Sequence, residues 1–190
     1  GDSIEGEWAE DGSLSDAFVR FASGGQYDGD LDSDLQPHGD GRRVYADGSR
    51  YSGGFIHGAR DGHGTFQLPN GDEYDGGWLL DQRHGHGTQR LADGGTYEGG
   101  FVGGLREGHG LMRFANGSSY EGQWVADLYE GVGNLYYARV GDGNDMYGGH
   151  WKAGKEHGHG VYSYSGGARF DGEHADGRRH GEGVLTLRDG

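Results

Sequence analysis

One motif of about 23 residues returns along the whole chain, and it restricts the fold more than any other feature. Its clearest copy runs from Tyr74 to Thr96. An aromatic-x-Gly opens it, and a bulky apolar residue follows two positions later. A polar stretch leads to Gly-x-Gly with alternating apolar residues, and an Asp-Gly or Asn-Gly pair closes the copy. Opening residues fall at Ile4, Tyr27, Tyr51, Tyr74, Tyr97, Tyr120, Tyr147 and Phe170. Most intervals are 23 residues; Tyr27 to Tyr51 is 24, with the extra residue near Pro37, and Tyr120 to Tyr147 is 27. Two residues after each opening residue stands a glycine: Gly6, Gly29, Gly53, Gly76, Gly99, Gly122, Gly149 and Gly172. The next column reads Trp8, Leu31, Phe55, Trp78, Phe101, Trp124, Trp151 and His174, and it holds all 4 tryptophans.

Within a copy the alternation has period two. Tyr74, Gly76 and Trp78 share one face, opposite Asp75 and Gly77, and no stretch keeps a helical period over a helix's length. Each copy therefore reads as two short strands. Asp47-Gly48, Asn70-Gly71, Asp93-Gly94 and Asn116-Gly117 read as two-residue hairpin turns, since both residue types tolerate positive φ. The stretches inside the copies, with Gly58, Gly103-Gly104, Gly154 and Gly177, read as longer polar loops. Glycine at alternate positions weakens a strand unless a neighbouring ring covers the bare backbone, and Tyr74 and Trp78 are placed to do that. The expected fold is all-β: an elongated antiparallel array of β-hairpins in one twisted meander sheet. At about 4.8 Å per strand, eight copies would give a rod on the order of 75–80 Å.

Composition supports a thin body. Glycine supplies 45 of 190 residues and only 32% are hydrophobic, too few for a thick two-layer core. No apolar run approaches the ~18 residues of a membrane span, and no signal peptide is visible. The absence of cysteine fits a cytoplasmic protein. A missing start Met and an end inside a closing turn, Leu187-Arg188-Asp189-Gly190, point to a fragment of a longer array.

Tyr97-Glu98-Gly99-Gly100-Phe101, Tyr120-Glu121-Gly122-Gln123-Trp124, His84-Gly85-His86-Gly87 and Asn116-Gly117 together resemble the "membrane occupation and recognition nexus" (MORN) repeat. The resemblance covers nearly the whole chain. The first copy departs from it, with Ile4 for the opening Tyr and Ser15 and Ala17 for the Gly pair. The last has His174 for the large apolar residue, and the copy opening at Tyr120 carries extra residues around Gly141 to Met146. An array made only of such repeats is most similar to the cytoskeletal scaffold proteins of parasitic protists. That resemblance implies a cytoskeletal, membrane-associated setting and contact with acidic phospholipid.

Charge bears on the partners. The net charge is −15, from 31 acidic and 16 basic residues. Nucleic acid is disfavoured by repulsion, and phospholipid lacks the Lys/Arg cluster it draws on. The best basic pairs, Arg42-Arg43 and Arg178-Arg179, are flanked by acids. Protein partners remain. Tyr74, Trp78, Tyr97, Phe101, Tyr120, Trp124, Tyr147 and Trp151 are expected as a half-exposed row lining a groove for a partner peptide or helix. A two-fold homodimer is expected through the last copy, at Phe170, His174, Leu185 and Leu187, because an open sheet leaves an unpaired edge. The loop from Asp142 to Asp145 is a candidate docking site. No cofactor is expected. His84 with His86 and His157 with His159 could hold part of a metal site, but equivalent histidines in successive hairpins lie about 10 Å apart, so the reading is that none is bound. Ser, His and Asp recur as columns without one asymmetric constellation, and the chain is read as not an enzyme.

Overall fold

The computed structural model describes residues 1–138 and 145–188. All of its regular elements are strands, and no helix is long and apolar enough to cross a membrane. The strands are β1 (Ser3–Trp8), β2 (Leu14–Arg20), β3 (Gly25–Leu31), β4 (Pro37–Tyr45), β5 (Arg50–Ile56), β6 (Ala59–Gln67), β7 (Glu73–Leu79) and β8 (Gln82–Arg90). They continue as β9 (Thr96–Val102), β10 (Leu105–Arg113), β11 (Ser119–Val125), β12 (Leu128–Tyr137), β13 (Asp145–Lys152), β14 (Lys155–Ser163), β15 (Arg169–Ala175) and β16 (Arg178–Thr186). Strand order follows the chain, so the sheet is the expected open antiparallel meander. The contacts divide it into two compact units, Gly1–Ala92 with Phe101–Gly104, and Asp93–Gly100 with Leu105–Gly190. Of the insertion around Gly141 to Met146, only Asp145 and Met146 fall among the described residues, and the proposed docking loop otherwise lies outside them.

Turn chemistry differs from the sequence expectation in both places. The closing Asp-Gly and Asn-Gly pairs belong to three-residue loops. Gly48 donates its N–H to the Tyr45 carbonyl and Tyr45 donates to Ser49, while of the pair only Gly48 takes positive φ, at 87°. Asp47 has another role: its Oδ1 accepts the Ser49 N–H at 2.9 Å and the Ser49 hydroxyl at 2.6 Å. Asn70, Asp93 and Asn116 each accept the N–H two residues on in the same way. The stretches read as polar loops are instead tight two-residue turns with positive φ at both positions, the type I′ signature. His57-Gly58 and Leu80-Asp81 show it in the first unit, Ala126-Asp127 and Ala153-Gly154 in the second. Leu80 and Ala126 are poor residues for that region, so their local sequence hides the turn. The preceding copy compensates: Asp81 donates its N–H to the Arg60 carbonyl at 3.0 Å, and Asp127 does the same to Arg106 at 3.1 Å. The other turn N–H is capped by an acid from that copy, Asp61 for Leu80 and Glu107 for Ala126.

Hairpins in both units also carry a bulge. Gly76 faces Gly87 and Trp78 faces Arg83, so Gly77 alone stands opposite His84, Gly85 and His86. This gives the two glycines of Gly-x-Gly different jobs. Gly85, in the bulge, sits at φ 69°. Gly87 lies beneath the Tyr74 ring, where a Cβ would come within 2.5–2.6 Å of the ring's Oη, Cζ and Cε2 atoms. The ring-on-glycine expectation therefore holds for the second glycine, within a single hairpin. The Tyr74 hydroxyl then donates to the carbonyl of the bulged Gly77 at 2.9 Å, and Tyr27, Tyr51, Tyr97, Tyr120 and Tyr147 repeat that bond three residues on.

Candidate functional site

The eight aromatic residues expected to line a groove are interior, at 0–6% exposure. In the first unit the rings meet edge to face: Tyr51 against Trp78 at 5.4 Å, Tyr74 against Trp78 at 5.3 Å, Tyr74 against Phe101 at 5.0 Å. The second unit repeats the ladder from Tyr97–Trp124 at 5.1 Å through Tyr120–Trp151 at 5.4 Å to Tyr147–His174 at 5.0 Å. Tyr51, Tyr74, Tyr120 and Tyr147 each touch the large ring of their own copy and of the next. Such contacts contribute about 0.5–1.5 kcal/mol each beyond their area. Indole N–H groups tie copies together as well, Trp78 to the Gly64 carbonyl at 2.9 Å and Trp124 to Gly110 at 3.2 Å. The half-exposed row is therefore corrected to buried stacks within each unit, because the Tyr and the large ring of a copy together cover neighbouring strands that are mostly glycine.

Burial governs the tyrosine hydroxyls. It pushes Tyr74 and Tyr97 up to about 12, and nearby carboxylates add to it while Arg83 and Arg106 oppose it. Unfolded tyrosine titrates near 10, so their contribution to stability is complete below about pH 10 and is lost as pH rises towards 12. In a spectrophotometric titration, the buried tyrosines are expected to ionise only as the near-UV circular dichroism of the fold disappears.

Over the ladder lies a column of arginines that sequence reading passed over, although Arg60, Arg83 and Arg106 are spaced by 23. The Arg60 guanidinium stacks on Trp78 at 4.1 Å and its Nε pairs with Asp81 at 2.9 Å. Arg106 does the same with Trp124 at 4.6 Å and Asp127 at 2.7 Å. Each arginine covers the ring of the next copy and holds that copy's turn. Arg43 and Arg179, from the two basic pairs, also stack on rings, at 4.8 Å over Phe21 and 4.3 Å over Phe170.

Open surfaces flank this interior. In the first unit a groove of about 460 Å³ lies above Tyr74 and Trp78, walled by Arg60, Arg83, Phe66, Leu68 and Gln89. At the tight turns, apolar side chains stand in solvent: Ile56, Leu79 and Leu80 in the first unit, Leu105, Val125 and Leu128 in the second. Leu79 and Val125 alternate with the buried Trp78 and Trp124, so they belong to the opposite face.

Of the residues expected at a dimer interface, Phe170 and His174 are buried in the ladder, where Phe170 covers Gly183. Leu185 and Leu187 are exposed, and β16, like β1, is an edge of the sheet with every residue open to solvent. His84, His86, His157 and His159 flank the bulge glycines of β8 and β14, and His159 pairs with Asp171 at 2.9 Å. Among the described residues, the donor atoms that converge are elsewhere, on Asp32, His38 and His57.

An open antiparallel sheet built copy on copy, joined by inter-copy ring contacts and turn caps, defines a β-hairpin repeat protein. The chain belongs to the MORN repeat family: the MORN repeat matches residues 36–50, 51–73, 74–96, 97–119, 120–139, 147–169 and 170–190. No curated protein sequence matches it. Among solved structures it is similar to the SAS-4 (dCPAP) TCP domain of Drosophila melanogaster, in complex with a proline-rich motif of Ana2 (dSTIL). That match has 12% identity and a TM-score of 0.43, covering 97% of this chain and 90% of that one. The TCP10c domain of Drosophila melanogaster Sas-4 matches at 11% identity and a TM-score of 0.40, covering 98% and 100%. The G-box domain of the microcephaly protein CPAP matches at 14% and 0.38, covering 90% and 98%.

Proposed function

We propose that this chain is a non-enzymatic, protein-binding repeat array that scaffolds a cytoskeletal assembly in the cytoplasm. The observation that carries the reading is the apolar set at the tight turns, with Ile56, Leu79 and Leu80 in one unit and Leu105, Val125 and Leu128 in the other. Isolated exposed apolar residues are ordinary, but their recurrence at the tight turn, with Ile56, Leu79 and Val125 at one repeat position and Leu105 and Leu128 at another, supplies equivalent contacts for partners within each unit. Membrane association, on this reading, comes through those partners, since a net charge of −15 favours no anionic surface. The open edge strand β16, with Val184 and Leu185 exposed on it and Leu187 exposed just after it, is where a second copy would pair. A second reading has its own support: the groove walled by Arg60, Phe66, Leu68 and Arg83 suits an extended peptide with apolar side chains.

Site-specific photocrosslinking in cells separates these roles. Crosslinkers at Leu80 and Val125 are expected to capture cytoskeletal proteins, and one at Leu185 a second copy of this chain. One at the exposed Arg113, away from the tight turns, should capture neither. Equal yields at all four positions, or none at Leu80 and Val125, would overturn the turn row as the binding surface. Capture at Leu68 alone would favour the groove.

A further inference from the structure

The second copy is the 24-residue one, and its extra residue falls in the turn between β3 and β4. There the regular capping arrangement is replaced. Where other copies place Ile56, Leu79, Val102 and Val125, this one has Asp32; in the column of Asp61 and Glu107, which cap the next copy's turn, it has His38. The turn that follows begins with His57, at φ 46°. Ligand atoms of Asp32, His38 and His57 all lie within 4.8 Å of one another.

Asp32 is the fixed member. Its Oδ1 accepts the N–H of Asp34 at 3.0 Å and of Gln36 at 2.9 Å, and only 12% of its side chain is exposed. Burial opposes its ionisation, but the Gln36 N–H, the His57 contact and the Asp34 N–H outweigh it and hold the carboxyl below its ordinary range. Its Oδ2 is left facing His57 Nδ1 at 2.7 Å. The two imidazoles stand 5.7 Å apart, tilted to each other by 56°, and both are exposed, with His57 held on its ring side by the Asp32 contact. A tetrahedral ion with bonds of about 2.0–2.2 Å needs donor atoms roughly 3.3–3.5 Å apart, a separation that small rotations of two surface side chains reach.

We propose that Asp32, His38 and His57 form a zinc site that staples the β3–β4 turn of the second copy to the β5–β6 turn of the third. Two imidazoles and a carboxylate are a borderline donor set that suits Zn²⁺ and leaves a fourth position for water or an outside ligand. The His57–Asp32 contact opens to admit the ion, while the two backbone N–H bonds keep the carboxylate in place and so serve as outer-shell support. The ion then does here what an acidic cap does between other copies.

Titrating the full chain with zinc chloride by calorimetry tests this. One equivalent is expected to bind, with a rise in melting temperature that EDTA reverses. Asp32→Asn should weaken binding by about 10–100-fold, as should His57→Asn, which keeps a residue tolerant of positive φ. His86→Gln with His159→Gln should leave the affinity unchanged. No binding by the wild type, or binding that survives Asp32→Asn and His57→Asn but falls in the His86/His159 variant, would overturn the site. A melting curve of each variant without zinc close to wild type separates loss of the ion from loss of the fold.

Discussion

Gly87→Ala is expected to lower the stability of the chain by about 3 kcal/mol, at the upper end of overpacking costs, and to drop its melting temperature accordingly. The new Cβ would fall 2.5 Å from the Tyr74 hydroxyl and 2.6 Å from two ring carbons, and the ring has little room to retreat. It packs against Trp78 and Phe101, and its hydroxyl is bonded to Gly77. The first copy already shows the compensated arrangement: Ile4 stands in the opening column, and the position of the second glycine is Ala17, fully buried. Combining Tyr74→Ile with Gly87→Ala should therefore cost less than the sum of the single changes, with a coupling of about 1–3 kcal/mol measured by denaturant unfolding. Additive single effects would mean that the ring and the glycine are not in contact. Gly85→Ala, in the bulge, should respond differently, since a Cβ there meets nothing within 4 Å and would suffer only from its φ.

The second large effect is expected at the indole column. Trp124→Ala should destabilise by about 3–5 kcal/mol, because it removes a ring that is 2% exposed. That ring is packed by Tyr97, Tyr120 and Tyr129, capped by Arg106 and hydrogen-bonded to Gly110. Trp8→Ala, in the same column of the repeat, should stay within about 0.5 kcal/mol of wild type, since Trp8 stands on the edge strand at 64% exposure. Chemical unfolding of the two variants, followed by circular dichroism, checks both. Equal losses would show that the column acts through strand propensity and not through contact between copies. Trp124→Phe should fall between them: it keeps most of the ring contacts and leaves the Gly110 carbonyl without its donor.

Much of this was legible in the sequence because repeated columns carry it. The 23-residue period, the alternation of Tyr74, Gly76 and Trp78, and the glycine opposite each ring are local patterns, and local patterns fix strands and hairpin order. The arginine column was equally legible at Arg60, Arg83 and Arg106, although its purpose was not, since an arginine's partner lies a copy away. Turn types were misread for a related reason. Leu80-Asp81 and Ala126-Asp127 contain no glycine, and what holds them at positive φ is a carbonyl and an acid from the preceding copy.

Exposure was a tertiary matter altogether. Sequence marks Tyr74 and Trp78 as one face of a thin sheet, but only the ring of the next copy and the guanidinium of the last decide that they are covered. Likewise, Asp32, His38 and His57 occupy three different columns in two copies, with no motif among them. The extra residue near Pro37 announced an irregular loop, and the chain had to fold before that loop and the following turn could bring a carboxylate and two imidazoles together. The sequence by itself determined the repeat, its strands and its glycine–ring pairs, because those depend on neighbours a few residues apart. Which residues face solvent, and where the repeat gives way to a site, was decided by the packing of one copy on another.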